Sequence, residues 1–459
     1  MTSTTTAHDI PPGTGPGAAA GASARAGAAG ERASAGVSSP PGSEPPPVEP
    51  LDVEAIRKDF PILQQERAGH RLVYLDSASS SQHPRQVLDT MDRYYRTTHA
   101  NVHRGVYAIA EEATREYEEA RHRIGRFIGA PKPASEIVFA KNATEALSLV
   151  AHSYGRRRLP AGKAVVLTEM EHHANLVPWL MLAEERGVEL RYLQVTDDFQ
   201  LDMSDLDRLT DGAGIVAVTA MSNVLGTLND LGPIVQAAHA NGAVVVCDAS
   251  QLVPHRAVDV ASLGVDFFAF TGHKMLGPTG VGVLWGREEL LEEMPPFLGG
   301  GEMIRDVRLD GFTTNDLPWK FEAGTPPVAE AIGLGAAVSY LEAVGMGRIT
   351  EHEASLTAFT FETLRAEHGE DVRFFGPEPD ARLRGGAISI GYRDIHSHDL
   401  AQVLDAEGVC VRAGHHCAKP LMRRLSVPAT ARASLYLYND EDDVRALSAA
   451  LTKAKEMFS

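Results

Sequence analysis

The chain has 459 residues, 44% of them apolar and 23% charged, with a formal net charge of −18. That length buries a large core and predicts two domains, while the acidity argues against a broad nucleic-acid-binding face and leaves room for local pockets that take small anions. No apolar stretch approaches a membrane span, no basic segment followed by an apolar one opens the chain, and Cys247, Cys410 and Cys417 form no C-x-x-C. Together these features predict a cytoplasmic protein with reduced thiols that binds neither nucleic acid nor membrane.

Residues 1–50 are rich in Ala, Gly, Ser, Thr and Pro. They predict a disordered tail, because such a segment cannot bury enough apolar surface to offset the entropy of ordering it. "LDVEAIRKDFP" (51–61) predicts a short amphipathic helix stopped by Pro61. From about residue 71 strands and helices alternate. "EIVFA" (136–140) leads into a helix over "NATEALSLVAHSY", "AVVLTE" (164–169) into one near "NLVPWLMLAEERG", and "VELRYLQV" follows. Three apolar runs come next: "GIVAVTAM", "AVVVCDAS" and "VDFFAFTG". Continuous apolar strands alternating with helices predict an α/β fold whose largely parallel sheet is covered on both faces. After about 330 long helices, shorter strands and a closing helix from Asn439 predict a smaller α+β domain.

In such a sheet, ligands bind beyond the carboxyl ends of the strands. That rule selects Thr144, Glu171, His172, His173, Asn223, Asp248, Gln251, Thr271, His273 and Lys274. Each has a plainer reading when taken alone. Asp248 is a turn or cap residue, and Thr144 is an N-cap, although a helix start also binds phosphate. Adjacent histidines on a strand point to opposite sides and H-E-x-x-H is missing, so no metal site is predicted. No lysine follows Gly277, so Lys274 belongs to no phosphate loop, and "GLGAAV" (333–338) sits in a helical pattern rather than after a strand.

Joined, these residues suit pyridoxal phosphate. That cofactor needs a lysine for a covalent imine, an acid at its ring nitrogen, phosphate donors at a helix start and a flat group over the ring. Desolvation beside His273 favours the neutral amine of Lys274. A bond from Asp248 to the pyridinium is worth on the order of 1.5–3 kcal/mol.

The words "YLDSASSSQHP", "NVHRGVY", "TEMEHHANLVPW", "SNVLGT", "DASQ", "TGHKMLGPTGVGVLWG", "GGGEMI", "KFEAGTPP", "VRAGHHCAKPLM" and "ATARASLYLYN" occur in that order. With them the chain from about 51 to 459 resembles the class V aminotransferase-like enzymes of fold type I, and within them the group II cysteine desulfurases of the SUF system. The resemblance implies a large cofactor-binding domain (71–330) with a mostly parallel seven-stranded sheet. It also implies a segment (51–70) packing with the small domain, and a small C-terminal domain (331–459) carrying a cysteine loop. It gives Lys274 the covalent link, Asp248 the ring nitrogen and Gln251 the ring hydroxyl. His172 would stack on the ring and move protons. Thr144, Thr271 and His273 would hold the phosphate, with Ala143 where many members carry a second hydroxyl, and Thr325 would join them from a second subunit. Asn223 and Arg432 would clamp the substrate carboxylate, with Arg412 beside the mobile loop.

Cys417 lies between histidines and Lys419 in "RAGHHCAK", where neighbouring positive charge favours the thiolate; Cys247 and Cys410 lie in apolar runs and read as inert. The resemblance makes Cys417 the thiol that takes sulfur from L-cysteine, leaving alanine and a persulfide for iron–sulfur cluster assembly. A SufE-like or zinc-containing SufU-like acceptor would remove that sulfur. His398 of "DIHSHD" is a candidate contact for a zinc-bearing acceptor, or else a surface histidine capping a helix. Residues 304–326 should form a hairpin reaching the neighbouring subunit of a homodimer. Serines in "SASSSQHP", Ala143 and Tyr107 depart from the usual pattern. A selenocysteine lyase, a cysteine-sulfinate desulfinase or a paralogue serving a biosynthetic pathway would share these words.

Overall fold

Seven strands pair into one sheet in the computed structural model, which describes residues 49–67, 69–159 and 162–458. The tail predicted over residues 1–50 lies outside the described residues, except for its last two. The strands are β1 (Ile137–Ala140), β2 (Ala164–Thr168), β3 (Glu189–Leu193), β4 (Ala213–Thr219), β5 (Val244–Asp248), β6 (Phe267–Thr271) and β7 (Gly282–Gly286). Their order is β1-β7-β6-β5-β4-β2-β3, with β7 antiparallel to both its neighbours and the other pairings parallel.

The apolar runs are continuous because both faces of the sheet are covered. Along β6, Phe267 and Ala269 join one buried cluster, whereas Phe268 and Phe270 join the other, as the two-residue strand period requires. Burying each phenylalanine contributes about 1.5–3 kcal/mol. Parallel β2, β4, β5 and β6 therefore end on one edge, and their terminal residues share it.

The main helices are α1 (Arg85–Thr97), α2 (Ala108–Phe127), α3 (Ala143–Val150), α4 (Val328–Val344), α5 (Met346–His368), α6 (Ser397–Ala406) and α7 (Glu441–Met457). The helix expected over "NATEALSLVAHSY" is α3 followed by one π turn, Ala151–Gly155. α4 packs on α1 and α2, beside the large sheet. No single helix among the described residues is long and apolar enough to cross a membrane.

A hairpin of β8 (Ile304–Arg308) and β9 (Gly311–Thr314) stands out from the surface, with Leu309 and Phe312 exposed at and beside its tip. Beyond it, β10 (Val372–Phe375), β11 (Ala387–Tyr392), β12 (Arg412–Gly414) and β13 (Thr430–Ser434) form a second, antiparallel sheet in the order β10-β11-β13-β12. α6 lies against β12 and β13, and α7 packs on α5 and α6.

Early chain crosses to this second sheet. Val73–Tyr74 pairs in parallel with Val409–Cys410, and Val73 and Leu75 join the second sheet's core. Arg57 donates to Asp443 of α7 at 3.2 Å. The crossing brings Asp76 beside Ser434.

Candidate active site

The carboxyl ends of β2, β4, β5 and β6 open into a cavity of about 280 Å³. Lys274, Asp248, Gln251 and His172 line it from this edge.

Past Thr271, β6 passes into a single 3-10 turn, Gly272–Lys274. The serine run of "SASSSQHP" braces that turn from behind: the Ser81 amide donates to the His273 carbonyl at 2.9 Å, and the Leu276 amide donates to Ser81 Oγ at 2.8 Å. Burial pushes the Lys274 amine below the usual lysine value, Asp248 opposes that shift and Arg432 adds to it. Burial and then Lys274 hold His273 down at about 4.

Asp248 ends β5, almost fully buried. Its Oδ1 accepts from the Ser250 amide at 3.0 Å and from the Ser250 hydroxyl at 2.7 Å. The turn role therefore occupies Oδ1 and leaves Oδ2 over. Gln251 Nε2 donates to the Ala78 carbonyl at 2.7 Å, which leaves its amide oxygen as an acceptor.

His172 caps a short 3-10 turn, His173–Asn175, and its Nδ1 accepts from the Ala174 amide at 3.0 Å. The neutral ring thus carries its proton on Nε2. Burial, then Lys274, lowers its pKa to about 4. Glu171 points into the protein instead, accepting from Thr168 (2.8 Å), the Thr219 amide (2.9 Å) and Asn175 (2.6 Å). Burial pushes its pKa up to about 8.

The plainer reading of Thr144, a cap of α3, fails because Asn142 does that work, accepting from the Glu145 amide at 2.9 Å. Asn142 wins because the Asn side chain reaches the third amide of the helix from outside it. Ala143 and Thr144 are left in the first turn, lining the cavity with amides that have no helical acceptor. Gly282 makes the approach possible, since a Cβ there would lie 2.5 Å from the Asn142 backbone. Thr271 Oγ1 is buried beside this corner with no partner.

The second sheet supplies the opposite wall. Arg432 of β13 is 2% exposed and donates from Nη1 to the Asn223 carbonyl at 2.7 Å. Its Nη2 donates to Ser79 Oγ at 2.8 Å and to Asp76 Oδ1 at 3.2 Å, and its Nε is buried without a partner. Arg412 lies 4.0 Å from the other oxygen of Asp76, half of its side chain in solvent. Asp76 and Ser79 escaped the sequence reading. The strand-end rule that found Asp248 applies equally to "LVYLD", an apolar run ending in an acid.

Of the three cysteines, Cys417 alone lines the cavity, half-buried in a loop with φ of +55°. Cys247 is fully buried and its thiol pushed well up by burial. Cys410, expected to be buried, is half-buried, because its strand is a two-residue edge piece against Val73–Tyr74.

Two predicted residues lie elsewhere. Thr325 lines a separate cavity with Lys141, Glu145 and Phe297. His398 is exposed in the first turn of α6, where His396 is the capping residue, its Nδ1 accepting from the His398 amide at 3.3 Å. A Cβ on Gly414 would sit 3.9 Å from His398 Nε2, so this imidazole stands beside the start of the cysteine loop.

Residues 73–447 match the class V aminotransferase family. A probable cysteine desulfurase of Streptomyces coelicolor is 51% identical over 414 residues, covering 89% of this chain and 98% of that protein. The apo structure of a cysteine desulfurase from Thermococcus onnurineus NA1 superposes with a TM-score of 0.82 at 40% identity, covering 88% of this chain and 97% of that one. The cysteine desulfurase CsdA of Escherichia coli, in an S-sulfonic acid form, gives 0.82 at 38% identity over 89% of this chain and 100% of its own. The chain therefore belongs to the class V aminotransferase family.

Proposed function

We propose that the protein is a pyridoxal-phosphate-dependent cysteine desulfurase that converts L-cysteine to L-alanine and collects the sulfur on Cys417. The observation that carries this reading is the meeting of Lys274, Asp248 and His172 from one sheet with Arg432 and Cys417 from the other in a single cavity. A plain transaminase has no use for a thiol there. The names of the relatives above support the same activity.

The donor set fits the cofactor. The unpartnered Thr271 hydroxyl, the free amides of Ala143 and Thr144 and the His273 ring suit a phosphate. Asp248 would take the ring nitrogen through Oδ2, Gln251 the ring hydroxyl, and Lys274 the covalent link. When bound, pyridoxal phosphate supplies an electron-withdrawing heterocycle that acidifies the α-carbon of an attached amino acid.

Every other task falls to the chain. Arg432 Nε, buried and unpartnered, waits for the substrate carboxylate, with the Asn223 side chain beside it. His172 stays neutral at physiological pH, so it can receive and return the α-proton. Cys417 Sγ attacks the substrate sulfur: an S–S bond forms, the substrate C–S bond breaks, and alanine leaves a persulfide on the protein. Atoms balance without any added oxidant.

The finer reading is a group II, SufS-like enzyme of the cytoplasm supplying sulfur for iron–sulfur cluster assembly. It would work as a homodimer, the exposed β8–β9 hairpin reaching the neighbour and Thr325 completing the neighbour's phosphate site. A SufE-like or SufU-like acceptor would take the persulfide sulfur, with exposed His398 near the loop to meet it. Purified enzyme with pyridoxal phosphate and L-cysteine, with and without each acceptor, should release alanine and sulfide fastest when an acceptor is present. In Cys417→Ala, sulfide release should fall by on the order of 10³. Full-rate desulfuration by that variant would refute the assignment.

A further inference from the structure

His172 and His173 are consecutive, yet they serve different walls. His172 lines the cavity, whereas His173 turns to the cysteine loop, where its ring lies 5.7 Å from that of His415. The His173 amide donates to the Cys417 carbonyl at 2.7 Å, and the Lys419 amide donates to His173 Nε2 at 3.1 Å. One amide and one ring nitrogen thus reach the loop from a single residue of the large sheet's rim.

The loop needs such bonds. His416 and Cys417 have φ of +50° and +55°, a left-handed pair that L-residues adopt only at a cost and that surrounding contacts must sustain. His415 Nδ1 accepts from the Cys417 amide at 3.1 Å, but that bond stays within the loop and cannot dock it. Docking falls to His173 and to Asn223, whose Nδ2 donates to the His416 carbonyl at 2.8 Å.

We infer that His173 is a positioning residue that docks the cysteine loop on the rim of the large sheet, so that its ring nitrogen sets how often Cys417 swings out to solvent. This rests on the reading of Cys417 as the sulfur-receiving thiol, which must face inward to collect sulfur and outward to pass it on. The Nε2 acceptor exists while the ring is neutral. Burial, then the charges of His415 and Lys419, keeps its proton affinity low. The docked loop is therefore the resting state.

The test is the rate at which iodoacetamide alkylates Cys417 in full-length holoenzyme without substrate, read by peptide mass, with buried Cys247 as the reporter of global unfolding. Loss of one neutral hydrogen bond in His173→Ala should raise that rate about fivefold. His173→Gln, whose amide oxygen falls where Nε2 was, should return it to within about twofold of wild type. Should His173→Ala label Cys247, Lys419→Pro replaces it: this removes the same bond from the donor side at the first helical position, where proline is tolerated, and should also give about a fivefold rise. Wild-type labelling in the folded variant, or failure of glutamine to restore it, overturns the inference. Alkylation does not depend on turnover, so an inactive thiol and an undocked loop are told apart.

Discussion

Lys274 and Cys417 line the same cavity, but the chain delivers them by different means. Lys274 stands one turn past a strand whose five residues are all buried, and bonds from the Ser81 backbone and side chain brace that turn. Cys417 stands in a loop with two consecutive left-handed residues that are not glycine, each costing about 1–2 kcal/mol, docked by a few bonds to the opposite sheet. One group is fixed by its own strand and turn, the other by bonds that cross between the two sheets.

The comparison breaks most sharply at the fixed side. Lys274→Ala should lower desulfuration by at least about 10³, and borohydride treatment with added pyridoxal phosphate should leave the variant unlabelled, where wild type is labelled at Lys274. Retained labelling at another lysine would move the anchor elsewhere. The arm between the two walls is sharpened by Asp76→Asn. Arg432 would lose a charge-assisted bond worth about 1.5–3 kcal/mol, so the KM for L-cysteine should rise about tenfold or more while kcat changes less. Steady-state kinetics decide it, and an unchanged KM would separate Arg432 from the substrate carboxylate.

The smallest effect concerns pH and the cysteine loop. Burial and Arg432 hold His416 at about 3, below the ordinary histidine value of 6.5. As pH falls from about 6.5, the unfolded chain takes up a proton that the folded loop refuses until about 3, so stability present above 6.5 is lost through that window. The melting temperature of cofactor-free protein should therefore fall with acidification, and in His416→Gln the fall should be shallower by a few degrees. Parallel melting curves for the two proteins would show that the ring does not carry this cost.

Local pattern made much of the site legible. Asp248, Asn223, Lys274 and His172 follow apolar runs, and strand ends in a parallel sheet share one edge whatever else the chain does. Of the two readings open for Thr144 and for His398, the capping one falls in each case to a neighbour, Asn142 and His396. Neighbouring polar residues compete for one helix end, and backbone geometry decides between them.

By itself, the sequence determined the alternation of strands and helices, the doubly covered sheet and the set of residues at its rim, because hydrophobic period and turn chemistry act over a few residues. Only the tertiary structure decided which groups from the second sheet meet that rim. Asp76 reaches Arg432 across 356 positions, and His173 reaches Lys419 across 246. Such pairs leave no periodic trace in the chain. They arise where the two sheets pack, and their bonds depend on where that packing sets each backbone.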